Sequence, residues 1–243
     1  VADRIINEHE PRPTQRMTVA QILAQSSNVG TITLAQMLER SRVERWIDRF
    51  GFGEPTRVDA PGEARGLLPS YWSGSTIGNV PLGQGIGVTA IQMAAAYGAI
   101  ANDGVYRKPY LVDRIGRERT DRGRGRRVLS KTVSAQMMAM LRDVVDAEGG
   151  TGAAAAVPGY TVAGKTGTAA KPVPGGYSTT KYVASFVGIV PAKDPRLVVL
   201  VSVDEPSSTI WGGVVAAPAF AEIAGQSLAQ LEIVPDANLV PAP

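Results

Sequence analysis

The segment from Pro158 to Gly176 constrains the fold of this chain more than any other. Gly159 to Thr166 satisfies the phosphate-loop pattern G-x-x-x-x-G-K-[ST], in which a lysine binds nucleotide phosphate at the start of a helix. Here, however, Thr166 is followed by Gly167, two prolines and two further glycines, which a helix does not tolerate. The sequence therefore favours a strand at this point, and a nucleotide site remains the alternative.

A strand carrying Lys165-Thr166-Gly167-Thr168 has the chemistry of an edge that faces a cleft. Lys165 supplies a fixed positive charge, and the hydroxyl groups of Thr166 and Thr168 can hold a carboxylate. Gly167 lets a substrate backbone approach, and the Thr168 amide can donate to an oxyanion. A short polar strand end without any chemistry would read the same way, so the pattern needs a partner.

The partner is Ser26-Ser27-Asn28, far upstream. A helix capped by Thr18 is predicted over residues 19–25, and three residues that favour caps and turns then indicate a bend between helices. The Ser26 hydroxyl can relay a proton between an amine and a leaving group, and the Asn28 amide can orient a peptide carbonyl or a lysine. A helix end alone also explains these residues.

Helices precede and follow a late group of strands, which predicts an α+β fold with an antiparallel sheet flanked by helices. Residues 53–87 are predicted to be a long irregular loop, and residues 114–131 are a basic segment that fits a solvated hairpin or contact with anionic polymer or lipid. Beyond the first helix, the others are expected over residues 29–39, 42–50, 90–101, 133–147 and 213–231, and the strands over 106–116, 160–169, 182–190 and 197–204.

Composition excludes several classes of function. The 243 residues are 44% hydrophobic, so the chain can bury a core, and they include no cysteine, which removes thiol catalysis and cysteine-based zinc sites. The net charge of +3 is too small to indicate nucleic-acid binding. Without cysteine, disulfides are excluded as well. No apolar stretch is long enough to cross a bilayer, and the chain does not begin with methionine, so we interpret it as a fragment.

Three further features have unremarkable interpretations. Gly83-Gln84-Gly85-Ile86-Gly87 lacks the spacing of a dinucleotide loop and is interpreted as a tight turn before a helix. His9 is the only histidine and is expected at the surface, with no nucleophile nearby to form a triad. Trp46 is expected in the core, whereas Trp72 and Trp211 lie in predicted loops and are candidates for the rim of a cleft.

Taken together, the segments resemble the transpeptidase domain of class B penicillin-binding proteins, particularly the cell-division type. The resemblance covers nearly the whole chain and rests on Gln25 to Gly30, Leu82 to Gln92 with its continuation to Gly104, Pro158 to Ala169, Tyr182 to Gly188 and Val203 to Pro206. It implies a penicillin-recognising serine transferase fold and a peptidoglycan D,D-transpeptidase outside the cytoplasm. The family resemblance implies no metal or organic cofactor. The expected partners are stem peptides that end in D-Ala-D-Ala, β-lactams and other membrane proteins of division.

The resemblance also assigns roles to individual residues. Ser26 would shuttle the proton, and Asn28 would orient substrate and lysine. Lys165, Thr166 and Thr168 would bind the substrate carboxylate, with the Thr168 amide in the oxyanion hole. The residues that complete this set, Ser27 and Gly167, are expected to contact substrate.

One departure from the family pattern limits what the chain can do alone. The family places a nucleophilic Ser-x-x-Lys before the Ser-x-Asn, but no serine precedes Ser26. The only serine with a lysine three positions on is Ser178, and its surroundings predict a strand rather than the required helical turn. We therefore expect residues 1–234 to be the C-terminal portion of a transpeptidase domain, followed by an extended tail over 235–243.

The missing part would be an N-terminal segment that carries the nucleophile and a membrane anchor. A related D,D-carboxypeptidase or β-lactamase would use the same chemistry with another acceptor. The alternative from another class is a non-catalytic module on the same fold that binds cell wall or a partner protein.

Overall fold

A computed structural model describes residues 5–9 and 13–237 of the chain. Its helices are α1 (Val19–Ala24), α2 (Asn28–Leu38), α3 (Arg40–Phe50), α4 (Thr76–Asn79), α5 (Ala90–Ala101), α6 (Lys131–Asp146), α7 (Gly212–Val215) and α8 (Ala217–Gln230). Its strands are β1 (Val105–Tyr106), β2 (Arg114–Ile115), β3 (Glu118–Arg119), β4 (Arg126–Arg127), β5 (Ala163–Val173), β6 (Gly176–Val190) and β7 (Leu197–Asp204). Within these ranges, no helix combines the length and the apolar character that crossing a membrane requires.

The predicted α+β organisation is confirmed. Strands β5, β6 and β7 form an antiparallel sheet in that order, with Thr166 opposite Phe186 and Phe186 opposite Val201. Helices α8 and α5 both pack against β6 and β7, whereas α6 packs against β5. This arrangement makes β5, the strand with Lys165, an edge strand of the described sheet.

The core has two parts, which follow from this layering. One surrounds the Phe186 and Phe220 rings, which are fully buried with centroids 4.9 Å apart and tie the sheet to α8. The other joins α5 and α6 to the sheet through Ile100, Leu141 and Ile189. Burial of apolar surface on both sides therefore fixes the sheet that carries Lys165.

Helix ends agree well with the sequence because capping residues mark them. Thr18 and Thr89 each form a capping box, accepting a hydrogen bond from the amide of Gln21 or Gln92 while that glutamine accepts one in return. Gly51 ends α3 in the left-handed conformation with φ of 83°. The bend predicted at residues 26–28 is confirmed, since α1 ends just before it and α2 begins at Asn28.

Thr89→Ala tests how much the second of these caps contributes. Loss of the hydroxyl acceptor should lower the free energy of unfolding by about 1 kcal/mol and the melting temperature by about 2 to 4 °C. Thr33→Ala is the matched control, because the Thr33 hydroxyl donates to the Val29 carbonyl inside α2, 2.7 Å away, and caps nothing. That control should leave the melting temperature unchanged or raise it slightly, since alanine favours helix. Equal losses in both variants would contradict the capping argument.

The prediction of an irregular loop over residues 53–87 is wrong in part. Helix α4 and a 3-10 turn over Val80–Leu82 lie within it. The rest is held by polar contacts: the buried Gln92 side chain donates to the carbonyls of Glu54 and Arg65, 2.8 and 2.9 Å away. These contacts come from residues far apart in sequence, so local composition could not reveal them.

The prediction of a strand over residues 106–116 is also wrong. Only two-residue strands form there: β1 pairs with β4, and β2 pairs with β3 around a turn at Gly116. The Asp59 carboxylate accepts from the amides of Leu111 and Val112, 2.6 and 2.9 Å away, and so takes the place of a strand partner. The same two hydrogen bonds lower the pKa of Asp59.

The C-terminal helix is divided, contrary to the prediction of one helix over 213–231. Ala216 separates α7 from α8, and Pro218 occupies the first turn of α8. After α8 the chain returns to the sheet region, where the Asp236 carboxylate accepts from the Thr161 amide, 2.7 Å away, and the Ala237 amide donates to the Gly159 carbonyl. The remainder of the predicted tail, residues 238–243, lies outside the described residues.

Two of the tryptophan predictions are wrong. Trp46 is 39% exposed rather than in the core, because α3 presents it beside Arg49. Trp72 is buried, and the Arg40 guanidinium lies 5.5 Å from its ring centroid, so it does not line an open cleft. His9 is exposed as expected, and its ring packs on Trp211 with centroids 3.6 Å apart.

Candidate active site

The structure brings Ser26 and Lys165 into direct contact, although 139 positions separate them. Lys165 Nζ donates a hydrogen bond to Ser26 Oγ over 2.8 Å. Helix α1 ends two residues before Ser26. Its last residue, Ala24, is held in place because its carbonyl accepts from the Thr151 amide, 3.2 Å away. Strand β5 delivers Lys165. Two segments that the family resemblance paired therefore meet at one point.

Ser26 has an unusual backbone conformation. Its φ is 52°, in the left-handed region that residues with a side chain rarely adopt. Such a conformation persists only where surrounding contacts fix it, and it is frequent at functional sites. Two hydrogen bonds to α1 hold the turn. The Ser26 amide donates to the Leu23 carbonyl, and the Ser27 amide donates to the Ile22 carbonyl. The turn aims the Ser26 hydroxyl at Lys165.

All three protons of the Lys165 ammonium have acceptors. Besides Ser26, the group donates to the carbonyl and the hydroxyl of Thr166, each 3.2 Å away. Its surroundings nevertheless exclude much of the water that stabilises a charged amine, and this burial lowers the pKa of Lys165 to about 8. The amine is therefore cationic enough at neutral pH to bind an anion, and it loses its proton far more readily than an exposed lysine.

This burial predicts a titration that can be observed directly. We expect Lys165 Nζ to titrate near pH 8 rather than near its ordinary value of 10.5. Between these values the unfolded chain holds the proton and the folded chain releases it, so the Lys165 contribution to stability rises with pH across that window. NMR titration of lysines labelled at Cε measures this pKa. A Lys165 signal that titrates near 10.5 would contradict the prediction.

Thr166 fixes the position of the Lys165 side chain through hydrogen bonds. Its hydroxyl lies 2.8 Å from the Thr151 hydroxyl and also accepts from Lys165. Thr151 comes from the turn after α6, and its amide reaches the Ala24 carbonyl at the end of α1. Thr151 thus connects both halves of the site. These contacts occupy Thr166, which the sequence analysis expected to bind substrate directly.

Thr168 lies three residues after Lys165 along β5, and its hydroxyl retains a proton to donate. Thr168 Oγ1 accepts from the Gly212 amide, 3.2 Å away, which leaves the hydroxyl proton for another acceptor. Gly212 belongs to α7, where a Cβ would lie 2.2 Å from the Ser185 carbonyl oxygen and 2.4 Å from that of Gly167. Only glycine permits this approach, which places the start of α7 beside Thr168.

Gly167 lies opposite Ser185 of the paired strand β6. A Cβ at Gly167 would lie 2.4 Å from Ser185 Oγ, so the Ser185 hydroxyl would have to rotate away. The expected contact of Gly167 with substrate stays a prediction.

Ser27 and Asn28 both contact the N-terminal segment. Ser27 is only 1% exposed, and its hydroxyl donates to Glu8 over 2.5 Å while accepting from the Gly30 amide. The Asn28 side chain donates to the Asn7 carbonyl, 3.0 Å away. Both residues secure the start of α2, whose position fixes the neighbouring Ser26. The expected contact of Ser27 with substrate and the expected role of Asn28 in orienting substrate and lysine stay predictions.

The alternative nucleotide site is not formed. Lys165 lies inside β5, which continues to Val173, so the helix that must follow the lysine in a phosphate loop is replaced by strand. The glycines at 83 and 85 have φ of 82° and form the turn that precedes α5, as expected. Among the residues that the structure describes, no group of His, Asp and Glu is arranged to hold a metal ion.

Sequence reasoning missed three residues of the site. Thr151 follows the Gly149-Gly150 pair, which signals only the end of a helix, and Gly212 lies in a glycine pair that signals only a turn. Glu8 lies in a polar segment with no pattern at all. Each acts through contacts between distant segments, which a single sequence does not encode locally.

The geometry defines what the site can do. A cationic amine, a serine hydroxyl bonded to it and a threonine hydroxyl with a free proton lie along one sheet edge. Such a set can bind a carboxylate and pass a proton between an amine and an oxygen or nitrogen.

Comparison with known proteins agrees with this arrangement. The family model described as the penicillin binding protein transpeptidase domain matches residues 2–225. The penicillin-binding protein PbpB of Mycolicibacterium smegmatis is 42% identical over 223 residues, which are 85% of this chain and 34% of that protein. The peptidoglycan D,D-transpeptidase FtsI of Escherichia coli is 35% identical over 238 residues, 96% of this chain and 40% of its own length.

Solved structures show the same likeness. A crystal structure of penicillin binding protein 3 from Mycobacterium tuberculosis in complex with aztreonam superposes with a TM-score of 0.87 and 37% identity, covering 97% of this chain and 56% of that one. The same protein in complex with ampicillin gives a TM-score of 0.88 and 36% identity. The chain thus spans 34% to 40% of the curated relatives named above.

Proposed function

Because this chain belongs to the penicillin-binding protein transpeptidase domain family, we propose that it is part of a peptidoglycan D,D-transpeptidase that acts in wall synthesis at cell division. The observation that carries the proposal is the 2.8 Å hydrogen bond between Lys165 and Ser26 beside the free hydroxyl proton of Thr168. The relatives' names support the reaction type, and the bound aztreonam and ampicillin of the solved relatives support recognition of β-lactams.

In the proposed reaction a serine attacks the carbonyl of the penultimate D-Ala in a stem peptide. The serine proton passes to the terminal D-Ala nitrogen as the peptide bond breaks, which releases D-Ala and leaves an acyl-enzyme. An amine of a second stem then attacks the ester, loses a proton and frees the serine. A β-lactam takes the place of the first substrate, and its opened ring keeps the enzyme acylated.

We assign roles to the residues of this chain within that reaction. Ser26 passes the proton to the leaving nitrogen, and Lys165 holds the Ser26 hydroxyl in place and lowers the energy of the developing charge. Lys165 and Thr168 bind the terminal carboxylate, and the Thr168 amide donates to the oxyanion. Asn28 contributes by fixing the start of α2 and, through it, the substrate-facing turn.

The attacking serine is proposed to come from a segment outside this chain. Ser178, the only serine with a lysine three positions on, lies in β6, where its hydroxyl accepts from the Lys181 amide over 2.9 Å. Lys181 Nζ instead lies 3.4 Å from Glu205 Oε2, and β6 offers no helical turn that would bring this amine over the Ser178 hydroxyl. We propose that residues 1–234 complete a transpeptidase domain together with an upstream segment.

The proposed setting follows from the substrate. Peptidoglycan stems are crosslinked outside the cytoplasm, so the site should face the periplasm or the outer surface of the membrane. An upstream anchor and other membrane proteins of the division machinery are proposed to hold it there.

The proposal is tested by intact-mass measurement after incubation with benzylpenicillin. We expect no covalent adduct on this chain alone and a stoichiometric adduct on the longer polypeptide that joins it to its upstream segment. Heat-unfolded longer polypeptide is the control for nonspecific acylation. The outcome that rejects the proposal is a longer polypeptide that folds but gains no mass.

A second candidate is a non-catalytic module on the same fold that binds cell wall. It predicts that the longer polypeptide binds peptidoglycan in a pull-down without acylation by penicillin. The mass measurement therefore decides between the two candidates.

A further inference from the structure

The Glu8 carboxylate lies at the N-terminus of α2 and accepts hydrogen bonds from three consecutive residues. It accepts from the Ser27 hydroxyl over 2.5 Å, from the Asn28 amide over 2.9 Å and from the Val29 amide over 3.3 Å. The first amides of a helix have no partner inside the helix, and the dipole of the helix favours a negative charge there. One carboxylate therefore satisfies the start of α2, nineteen and more residues away in sequence.

Loss of this carboxylate cannot be repaired locally. Ser27 is buried, and its hydroxyl already accepts from the Gly30 amide, so it would keep a donor without an acceptor. The amides of Asn28 and Val29 would lose their acceptors at the same time. The residue directly before this group is Ser26, whose strained φ of 52° depends on what holds its neighbours.

The neighbours of Glu8 fix it from both sides. The Asn7 carbonyl accepts from the Asn28 side chain over 3.0 Å, and the His9 ring packs on Trp211 with centroids 3.6 Å apart. Trp211 directly precedes Gly212, whose amide donates to the Thr168 hydroxyl. The short segment 7–9 thus touches the helix that follows Ser26 and the turn that contacts Thr168.

We infer that Glu8 is a positioning residue, which holds the Ser26 turn so that its hydroxyl stays in line with Lys165. The inference rests on the proposed transpeptidase function. It assigns Glu8 no contact with substrate: the carboxylate acts through the start of α2. The carboxylate-binding side chains lie on β5, so Glu8 should affect the acylation step and not the affinity for the unreacted drug.

The test uses the longer polypeptide that carries the upstream nucleophile, with stopped-flow acylation by a fluorescent penicillin. For Glu8→Gln we expect the first-order acylation constant to fall about thirtyfold or more, with the dissociation constant unchanged within about threefold. Glu8→Asp keeps the charge, but its side chain is one methylene shorter. Its acylation constant should fall about tenfold. Glu54→Gln is the matched control. The Glu54 carboxylate is 73% exposed and lies 3.9 Å from the Arg65 guanidinium, so this variant should have the acylation constant of the wild type.

The readout separates positioning from general loss of structure. Partial unfolding lowers the amplitude of acylation, whereas a displaced Ser26 lowers its rate constant. An acylation constant within threefold of wild type in a folded Glu8 variant overturns the inference. Failure of both Glu8 variants to fold also overturns it, because Glu8 would then serve the whole domain. A wild-type polypeptide that is not acylated at all rejects the proposed function instead.

Discussion

Lys165→Met in the longer polypeptide is expected to slow acylation by penicillin about a thousandfold while leaving the fold intact. Methionine fills a similar volume but supplies neither the charge that binds the carboxylate nor the donor that holds Ser26 Oγ, 2.8 Å away. The dissociation constant should therefore rise, and the acylation constant should fall. Stopped-flow acylation gives the two constants, and a thermal melt shows whether the protein remains folded.

The fold should survive because burial already disfavours the ammonium of Lys165. Its pKa is lowered to about 8 by burial alone, so the charged form is less stable in the folded chain than in water. Removing the charge should leave the melting temperature at pH 7 unchanged or higher. Between pH 8 and 10.5, the free energy of unfolding should increase less with pH in Lys165→Met than in the wild type. Loss of activity with retained stability is the signature of a functional charge.

Lys171→Met is the matched control for this prediction. Lys171 lies on the same strand but pairs with Asp204 and Glu205 at the surface, 2.7 and 2.8 Å away. Those carboxylates raise the pKa of Lys171, opposite to the effect of burial on Lys165. Its replacement should change acylation less than about threefold and leave the melting temperature nearly unchanged, because exposed ion pairs contribute little to stability. Similar kinetic losses in the two variants would refute a specific role for Lys165.

The sequence predicted local structure best where a single residue determines it. Thr89 and Asn102 bracket α5 as expected, because a cap and a turn residue mark its two ends. Lys165 was assigned to a strand because the glycines and prolines after it exclude helix. The pairing of Ser26 with Lys165 came from the resemblance to a family, not from any local rule.

The rest depended on contacts between distant segments. Trp72 is buried, and the Arg40 guanidinium lies over its ring, a contact that loop composition does not reveal. The strand predicted over 106–116 does not form, because Asp59, from another loop, accepts from the amides of Leu111 and Val112. The contact between Ser27 and Glu8 also joins segments far apart in the sequence. Tertiary partners override local preference in each case.

The second large effect is expected at Ser26. Ser26→Ala should slow acylation about a hundredfold or more, since no other described hydroxyl receives a hydrogen bond from Lys165 except that of Thr166, which Thr151 already engages. The affinity for the unreacted drug should change little, because Lys165 and Thr168 remain. The same stopped-flow measurement separates the two constants.

Ser26→Gly provides the comparison that makes this result interpretable. Both variants lack the hydroxyl, but glycine adopts the φ of 52° without strain, whereas alanine does not. We expect equal losses of acylation from the two variants, with Ser26→Gly at least as stable as Ser26→Ala in a thermal melt. If Ser26→Gly retained acylation near the wild-type rate, the hydroxyl would not carry the proton, and the conformation of the turn alone would explain any loss in Ser26→Ala.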